Sequence, residues 1–257
     1  MQQKLKSEGK CLFCGKTFAK AGINRHLITH LTEKNNAEGI SFLIKVETNP
    51  RWGTMPYFLS LWVDGEATLK QVDTFLRDIW LECCGHLSAF KYKLAGNPTM
   101  NFQSLLKSLS QPPRVSTGEY GEIPFKYKVK EVFSQNVKLD YEYDFGSSTE
   151  LEISVVDCFH FHADKKIVLL SRNEPLQIMC SVCKKLPATQ IYTVCMYEED
   201  AEFCDKCAKK HAKQCEDFDD CASMPVVNSP RMGVCGYTGG SIDTERDGVF
   251  ILKEKIV

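Results

Sequence analysis

Six cysteines and one histidine fall within CSVCKKLPATQIYTVCMYEEDAEFCDKCAKKHAKQC, residues 180–215. Two Cys-x-x-Cys pairs, Cys180/Cys183 and Cys204/Cys207, stand about twenty residues apart, the spacing at which two tight turns bring four thiolates onto one tetrahedral Zn²⁺. Cys195, His211 and Cys215 supply most of a second zinc site, with Glu198, Cys221 or water as its fourth ligand. The competing reading is a set of buried free thiols, or disulfides in a secreted chain. Four-cysteine sites are closed and structural, so this chemistry predicts a scaffold rather than a reaction.

A second donor set opens the chain. In CLFCGKTFAKAGINRHLITH, Cys11/Cys14 and His26/His30 have the pairing of a Cys2His2 zinc finger, with Phe18 and Ile23 at its small-core positions. Eleven residues separate Cys14 from His26 where twelve are usual. His26 and His30, four apart, share one helix face, as a common metal requires. Counted back from His26, the base-facing positions are Ala19, Gly22 and Arg25, and of these only Arg25 can pair bidentately with guanine. Residues 1–36 hold seven Lys/Arg, including Lys16, Lys20 and Arg25, against two acids, Glu8 and Glu33, an excess of five. That excess suits weak, salt-sensitive contact with nucleic-acid phosphates; docking on protein, or on the chain's own core, is the alternative for the finger.

Two further constellations could do chemistry. Cys83, Cys84 and His86 stand where the main helix ends at Gly85; a thiol there is disfavoured as a nucleophile because the helix C-terminus repels negative charge. A packed helix end is the expectation. His160 and His162 share a strand face with Cys158, and Asp140, Glu142 and Asp144 share one on a neighbouring strand. Together they outline a metal-dependent hydrolase or nuclease, set against the ordinary reading of a solvated sheet face. Asp144-Phe145-Gly146 lacks the other kinase motifs, and Gly146 there reads as a turn residue. Cys235, in GVCGYTGG, is either a further zinc donor or a buried thiol.

These residues need elements to hold them. ISFLIKVET alternates Ile40, Phe42, Ile44 and Val46 as a strand, and Phe58–Val63 is a second apolar run. In ATLKQVDTFLRDIWLECC, Leu69, Val72, Phe75, Leu76, Ile79 and Trp80 form a helical stripe, capped by Thr68 or Asp64. GHLSAFKYKL reads as a strand. Residues 97–121 read as a polar excursion with a short helix at 102–109. FKYKVKEVF, NVKLDYEYDFG, STELEISVVDCFHF and KKIVLLSRN read mostly as strand, with FGSST as a hairpin turn. The expectation is an α+β fold: a mostly antiparallel sheet with a principal packed helix, flanked by two small zinc modules. The domains would be a finger at 1–36, a core at 37–172 and a Cys-rich module with its tail at 173–257.

WLECCGHLSAF and YEYDFGSSTELEI, in this order around a variable middle, resemble the Ri-plasmid open-reading-frame-three-like family, whose members also resemble insertion-element passenger proteins. PVVNSPRMGVCGYTG is similar to the tail of members with an additional Cys-rich module. The resemblance spans about residues 40–240 and implies an α+β fold and residence on mobile or plasmid DNA. It implies no catalytic residue, and the N-terminal finger is an addition to that core.

The 257 residues carry a net charge of −1, so the molecule as a whole offers no electrostatic case for nucleic acid. Acidic residues gather instead at 198–220, an asymmetry that implies different partners for the two ends, or their mutual attraction. The N-terminus lacks an apolar signal core and no segment has the length and apolarity of a membrane span. Thirteen cysteines without a signal peptide predict a reducing, cytoplasmic setting with zinc as the cofactor. Partners are then nucleic acid or protein, with no membrane. The expectation is a non-enzymatic, zinc-stabilised binding protein, with the His160/His162 hydrolase as the alternative.

Overall fold

Strand β4 (Phe58–Asp64) is buried at every residue, so both faces of the sheet around it must be covered. The computed structural model describes residues 5–34, 36–48, 55–93, 115–118, 121–193, 201–214 and 223–251, in two compact units. One unit comprises residues 8–76 and 87–173 and is built on a six-stranded antiparallel sheet. Its strands are β3 (Glu38–Thr48), β4, β5 (Ser88–Tyr92), β6 (Lys138–Tyr143), β7 (Thr149–Phe161) and β8 (Ile167–Arg172), in the order β5-β6-β7-β3-β4-β8. The predicted α+β class with a mostly antiparallel sheet is the class observed.

Helix α2 (Leu69–Leu76) presents its buried stripe Leu69, Val72 and Leu76 to this unit. Its start is a reciprocal capping box: the Gln71 amide donates to Thr68 Oγ1 at 3.3 Å, and the Thr68 amide donates to Gln71 Oε1 at 2.9 Å. Thr68 is therefore the cap, and Asp64 serves elsewhere. Asp73, fully buried, accepts from the Tyr141 hydroxyl (2.9 Å) and the Ser88 hydroxyl (2.5 Å), tying α2 to β5 and β6.

On the sheet's other face lies the finger: a ribbon of β1 (Glu8–Lys10) and β2 (Thr17–Ala19), then α1 (Ile23–Thr32). Ile23, Leu27 and Leu31 recur at four-residue spacing and pack with Leu43, Phe58, Trp62, Phe159 and Leu170 in one cluster. The Leu12 amide donates to the Leu170 carbonyl at 2.9 Å, and Gly9 bridges Asn173. A Cβ at Gly9 would stand 2.6 Å from the Phe58 ring and from Ser171 Oγ, so only glycine permits that approach. Val156 is the extra residue of a bulge in β7, and Val156, Phe159 and Phe161 all meet the finger cluster.

Two local expectations fail. FKYKVKEVF is a turn and one-turn helix α3 (Val129–Val132), not a strand; the Leu69 amide bonds to the Tyr127 carbonyl and the Val129 amide to the Ala67 carbonyl, so this stretch braces the start of α2. In the β6–β7 hairpin the left-handed residue is Asp144 (φ 65°) rather than Gly146, and its carboxylate accepts from the Gly146 and Ser147 amides.

The other unit comprises residues 1–7, 77–86 and 174–257. Its small sheet runs β10-β9-β11, with β9 (Gln190–Tyr192), β10 (Glu202–Phe203) and β11 (Ser223–Pro225), beside α4 (Asp205–His211). Arg77–Leu81 is a π-helical turn with Ile79, Trp80 and Leu81 buried. The predicted helix at 102–109 lies outside the described residues, as does most of the acidic segment. Among the described residues no helix is long and apolar enough to cross a membrane.

Candidate metal centres

Ligands about 2.3 Å (sulfur) or about 2.0–2.1 Å (nitrogen) from a tetrahedral metal stand roughly 3.8 Å and roughly 3.4 Å apart respectively. Three sets of Cys and His among the described residues bring their donor atoms within 4.8 Å of one another and can hold a metal ion.

The first is Cys11, Cys14, His26 and His30. Cys14 Sγ lies 3.2 Å from His26 Nε2, which lies 3.2 Å from His30 Nε2. The Cys pair sits on a knuckle: the Gly15 amide returns to the Cys11 carbonyl (2.8 Å) and the Cys11 amide to the Lys16 carbonyl (2.9 Å), with Gly15 left-handed at φ 74°. Phe18 stacks on the His26 ring at 4.1 Å and fixes its orientation. Burial, with the charges of His30 and Lys16 beside it, pushes the His26 pKa down, which keeps its imidazole neutral and able to coordinate. Burial pushes the Cys11 thiol up.

The second is Cys180, Cys183, Cys204 and Cys207. Its first knuckle repeats the pattern: Lys184 is left-handed (φ 53°), its amide bonds to the Cys180 carbonyl at 2.9 Å, and the Cys180 amide bonds to the Leu186 carbonyl at 2.9 Å. The second pair opens α4, where Cys204 is the N-cap residue. The Ser181 amide donates to the Glu202 carbonyl at 2.7 Å and locks the two turns together. Cys183 Sγ stands 3.9 Å from Cys204 Sγ. Amides of Lys185 and Leu186 donate to Cys183 and hold its pKa at about 6, while burial and the neighbouring sulfurs Cys204 and Cys180 push Cys207 up to about 12. Thiolates so crowded do not all ionise without a cation among them.

The remaining predicted residues divide. Cys195, Cys215, Glu198 and Cys221 lie outside the described residues. His211 packs against aromatic rings, stacked on Phe203 at 4.8 Å and edge-on to Tyr192 at 5.3 Å. Lys16 and Arg25 are exposed, whereas Lys20 forms an ion pair with Glu47 at 2.5 Å. His162 Nδ1 is 2.7 Å from Asp64 Oδ2, and Asp64 also accepts from the Ala163 amide. The His162 ring covers Gly39, where a Cβ would come within 2.4 Å of it. Asp140 pairs in register with Glu152, eight residues before His160 on β7, about 26 Å along the strand at roughly 3.3 Å per residue. The structure therefore does not bring the predicted carboxylates to the histidines, because the hairpin sets β6 against the opposite half of β7.

The third set is Cys83, Cys84, His86 and Cys235. The sequence predicts a packed helix end for the first three and, for Cys235, either a further zinc donor or a buried thiol; Cys235 is exposed. The available signal was Cys-Gly, which occurs at 84–85 and 235–236 as it does at 14–15.

No family model matches the chain, and no curated protein matches it. Among solved structures, the protein of unknown function MM3350 from Methanosarcina mazei Go1 is similar at a TM-score of 0.37 and 14% identity, covering 53% of this chain and 68% of that one. Similarity at that level is too slight to inform the fold or the site.

Proposed function

We propose that this chain is a non-enzymatic, zinc-stabilised binding protein whose contact surface is the exposed side of the finger. The observation that carries the reading is where the donors sit: both predicted quartets close tight turns, with four protein ligands each and no position left for a substrate. Zinc suits these sets because thiolate and imidazole ligands in tetrahedral array favour it over harder cations. The apolar face of α1 is used against the sheet, so what faces outward is Ala19, Gly22 and Arg25, with Lys16 alongside. Such a surface has charge for phosphates and almost nothing to read bases, which supports weak, sequence-independent nucleic-acid contact in preference to specific recognition. The resemblance of WLECCGHLSAF and YEYDFGSSTELEI to the Ri-plasmid open-reading-frame-three-like family supports a setting in mobile-element or plasmid biology.

The test is fluorescence anisotropy with a labelled random duplex over a salt series, using the zinc-loaded full chain. Binding that weakens with salt, and a preference between random and selected duplexes that Arg25→Ala barely changes, are expected. No binding at low salt moves the finger surface to a protein partner. Mg²⁺- or Mn²⁺-dependent cleavage lost in His160→Ala overturns the non-enzymatic reading.

A further inference from the structure

We infer that Cys83, Cys84, His86 and Cys235 form a third metal site, of the tetrahedral thiolate–imidazole class that takes zinc, and that this site clasps the C-terminal loop to the end of the π-helical turn. The four donors come from two segments far apart in sequence, yet Cys84 Sγ lies 3.9 Å and His86 Nε2 3.2 Å from Cys235 Sγ. The sulfur separation matches a shared tetrahedral ion, and the mixed one falls slightly inside the roughly 3.6 Å such an ion sets.

Backbone conformation gives an independent argument. In each predicted quartet a left-handed residue follows a ligand cysteine: Gly15 after Cys14 and Lys184 after Cys183. The same step recurs twice here, with Gly85 (φ 72°) after Cys84 and Gly236 (φ 68°) after Cys235. A Cβ at either glycine would meet nothing within 4 Å, so conformation rather than space calls for glycine at both. Cys235 is itself left-handed at φ 51°, a conformation strained in a residue other than glycine that persists where its surroundings hold it. Exposed thiols have no apolar burial to supply that hold, and Cys84 and Cys235 are both exposed.

Charge closes the argument. A divalent ion with three thiolates and a neutral imidazole carries a net charge of −1. Arg231, wholly buried, places Nη2 3.6 Å from Cys83 Sγ and supplies the matching positive charge. The loop bearing Arg231 and Cys235 is held on both sides. The Ser229 hydroxyl donates to the Trp80 carbonyl at 2.7 Å, and the Ser241 amide donates to the Asp78 carbonyl at 2.7 Å. These are carbonyls of the π-helical turn, which lie at the end of the helix where the last C=O groups have no intrahelical partner. Gly240 passes so close that a Cβ would lie 2.6 Å from the Asp78 and Ile79 carbonyl oxygens. The loop is thus pinned at both ends, and the metal would fix its middle. With two ligands exposed, this metal exchanges faster than one held by Cys180, Cys183, Cys204 and Cys207, where two of the four are buried.

The test counts metal per chain in the full-length protein reconstituted with zinc alone, by elemental analysis, for wild type, His86→Ala, Cys235→Ser and His86→Cys. The first two variants are expected to carry one zinc fewer than wild type, whatever the wild-type total, and His86→Cys to restore it. A chromogenic zinc chelator should release one zinc per chain in a fast phase that is missing from His86→Ala. Co²⁺ reconstitution should shift the visible spectrum of His86→Cys from a three-sulfur to a four-sulfur pattern. An unchanged count in His86→Ala and Cys235→Ser, a deficit that persists in His86→Cys, or a Cys84–Cys235 disulfide by mass in the reduced-purified protein overturns the site.

Discussion

The Ser60 hydroxyl donates to Asn24 Oδ1 at 2.7 Å, joining the finger helix to the most buried strand of the sheet. Ser60 is fully buried, so this bond replaces water that its hydroxyl cannot reach. Around it the apolar contacts of Ile23, Leu27 and Leu31 make the finger a cover for the sheet.

Leu27→Ala should therefore weaken the sheet as well as the finger. Removing a buried leucine costs about 2–5 kcal/mol when the surroundings relax only partly. Leu27 is fully buried in the cluster that holds Trp62. Urea unfolding followed by tryptophan fluorescence should show a lower midpoint. A midpoint that stays put while zinc affinity falls would mean that the finger folds on its own account.

Cys180→Ser should unfold the knuckles while leaving the sheet unit intact. Structural zinc contributes on the order of 10 kcal/mol to small modules that bury little apolar surface. The cluster of Tyr192, Phe203 and Ala208 is such a small core. Limited proteolysis with mass mapping is the measurement: new cleavage within 176–214 and none within β3–β8 is expected. Full protection of 176–214 after chelation would show that the module needs no metal.

Much of this arrangement was legible because local rules and global fold agree. Thr68, one of the two caps the sequence offers, starts α2, and the cysteine pairs announce their turns. Elsewhere a second covering layer hid the pattern. β3 reads as one-faced from Ile40, Phe42, Ile44 and Val46, yet Ser41 and Leu43 are fully buried because the finger lies on the other face. Phe125–Phe133 alternates like a strand but joins no sheet among the described residues and is spent bracing α2. The set at Cys83, Cys84, His86 and Cys235 escaped because sequence separates His86 from Cys235 by 149 positions, and no spacing rule spans that distance.

Acid should destabilise the sheet through Glu152. Burial pushes its pKa up, but hydrogen bonds from Lys138 and Lys93 outweigh that and hold it at about 2. A carboxyl whose folded pKa is depressed stabilises the fold above its unfolded value, about 4.3, and that contribution is lost as pH falls from there toward 2. Glu152 is mostly buried, while Lys138 is half exposed and partly screened by solvent, so roughly 1–2 kcal/mol is the expected size. Glu152→Gln should cost about that much at pH 7 and flatten the stability curve between pH 4.5 and 2. An identical pH profile in the variant would remove Glu152 from the account.

Glu47→Gln provides a gain-of-binding test of the finger surface. Lys20 is paired with Glu47, and Lys45 also bonds to that carboxylate, whose pKa burial raises and the Lys20 and Lys45 hydrogen bonds lower overall. In the wild type Lys20 is therefore engaged with the sheet, and Lys16 and Arg25 are left for phosphates. Each phosphate neutralised contributes about −0.9 to the slope of log affinity against log salt. Two contacts give about −1.8. Replacing Glu47 removes the competitor, so Lys20 becomes a third contact and the slope should steepen to about −2.7, with tighter binding at low salt and no change in sequence preference. Lys20→Ala in the wild-type background should alter the slope little, and in the Glu47→Gln background should return it to the starting value. If Glu47→Gln leaves both slope and affinity unchanged while Lys16→Ala weakens binding, Lys20 faces away from the nucleic acid and the contact lies on the Lys16 side of the finger alone.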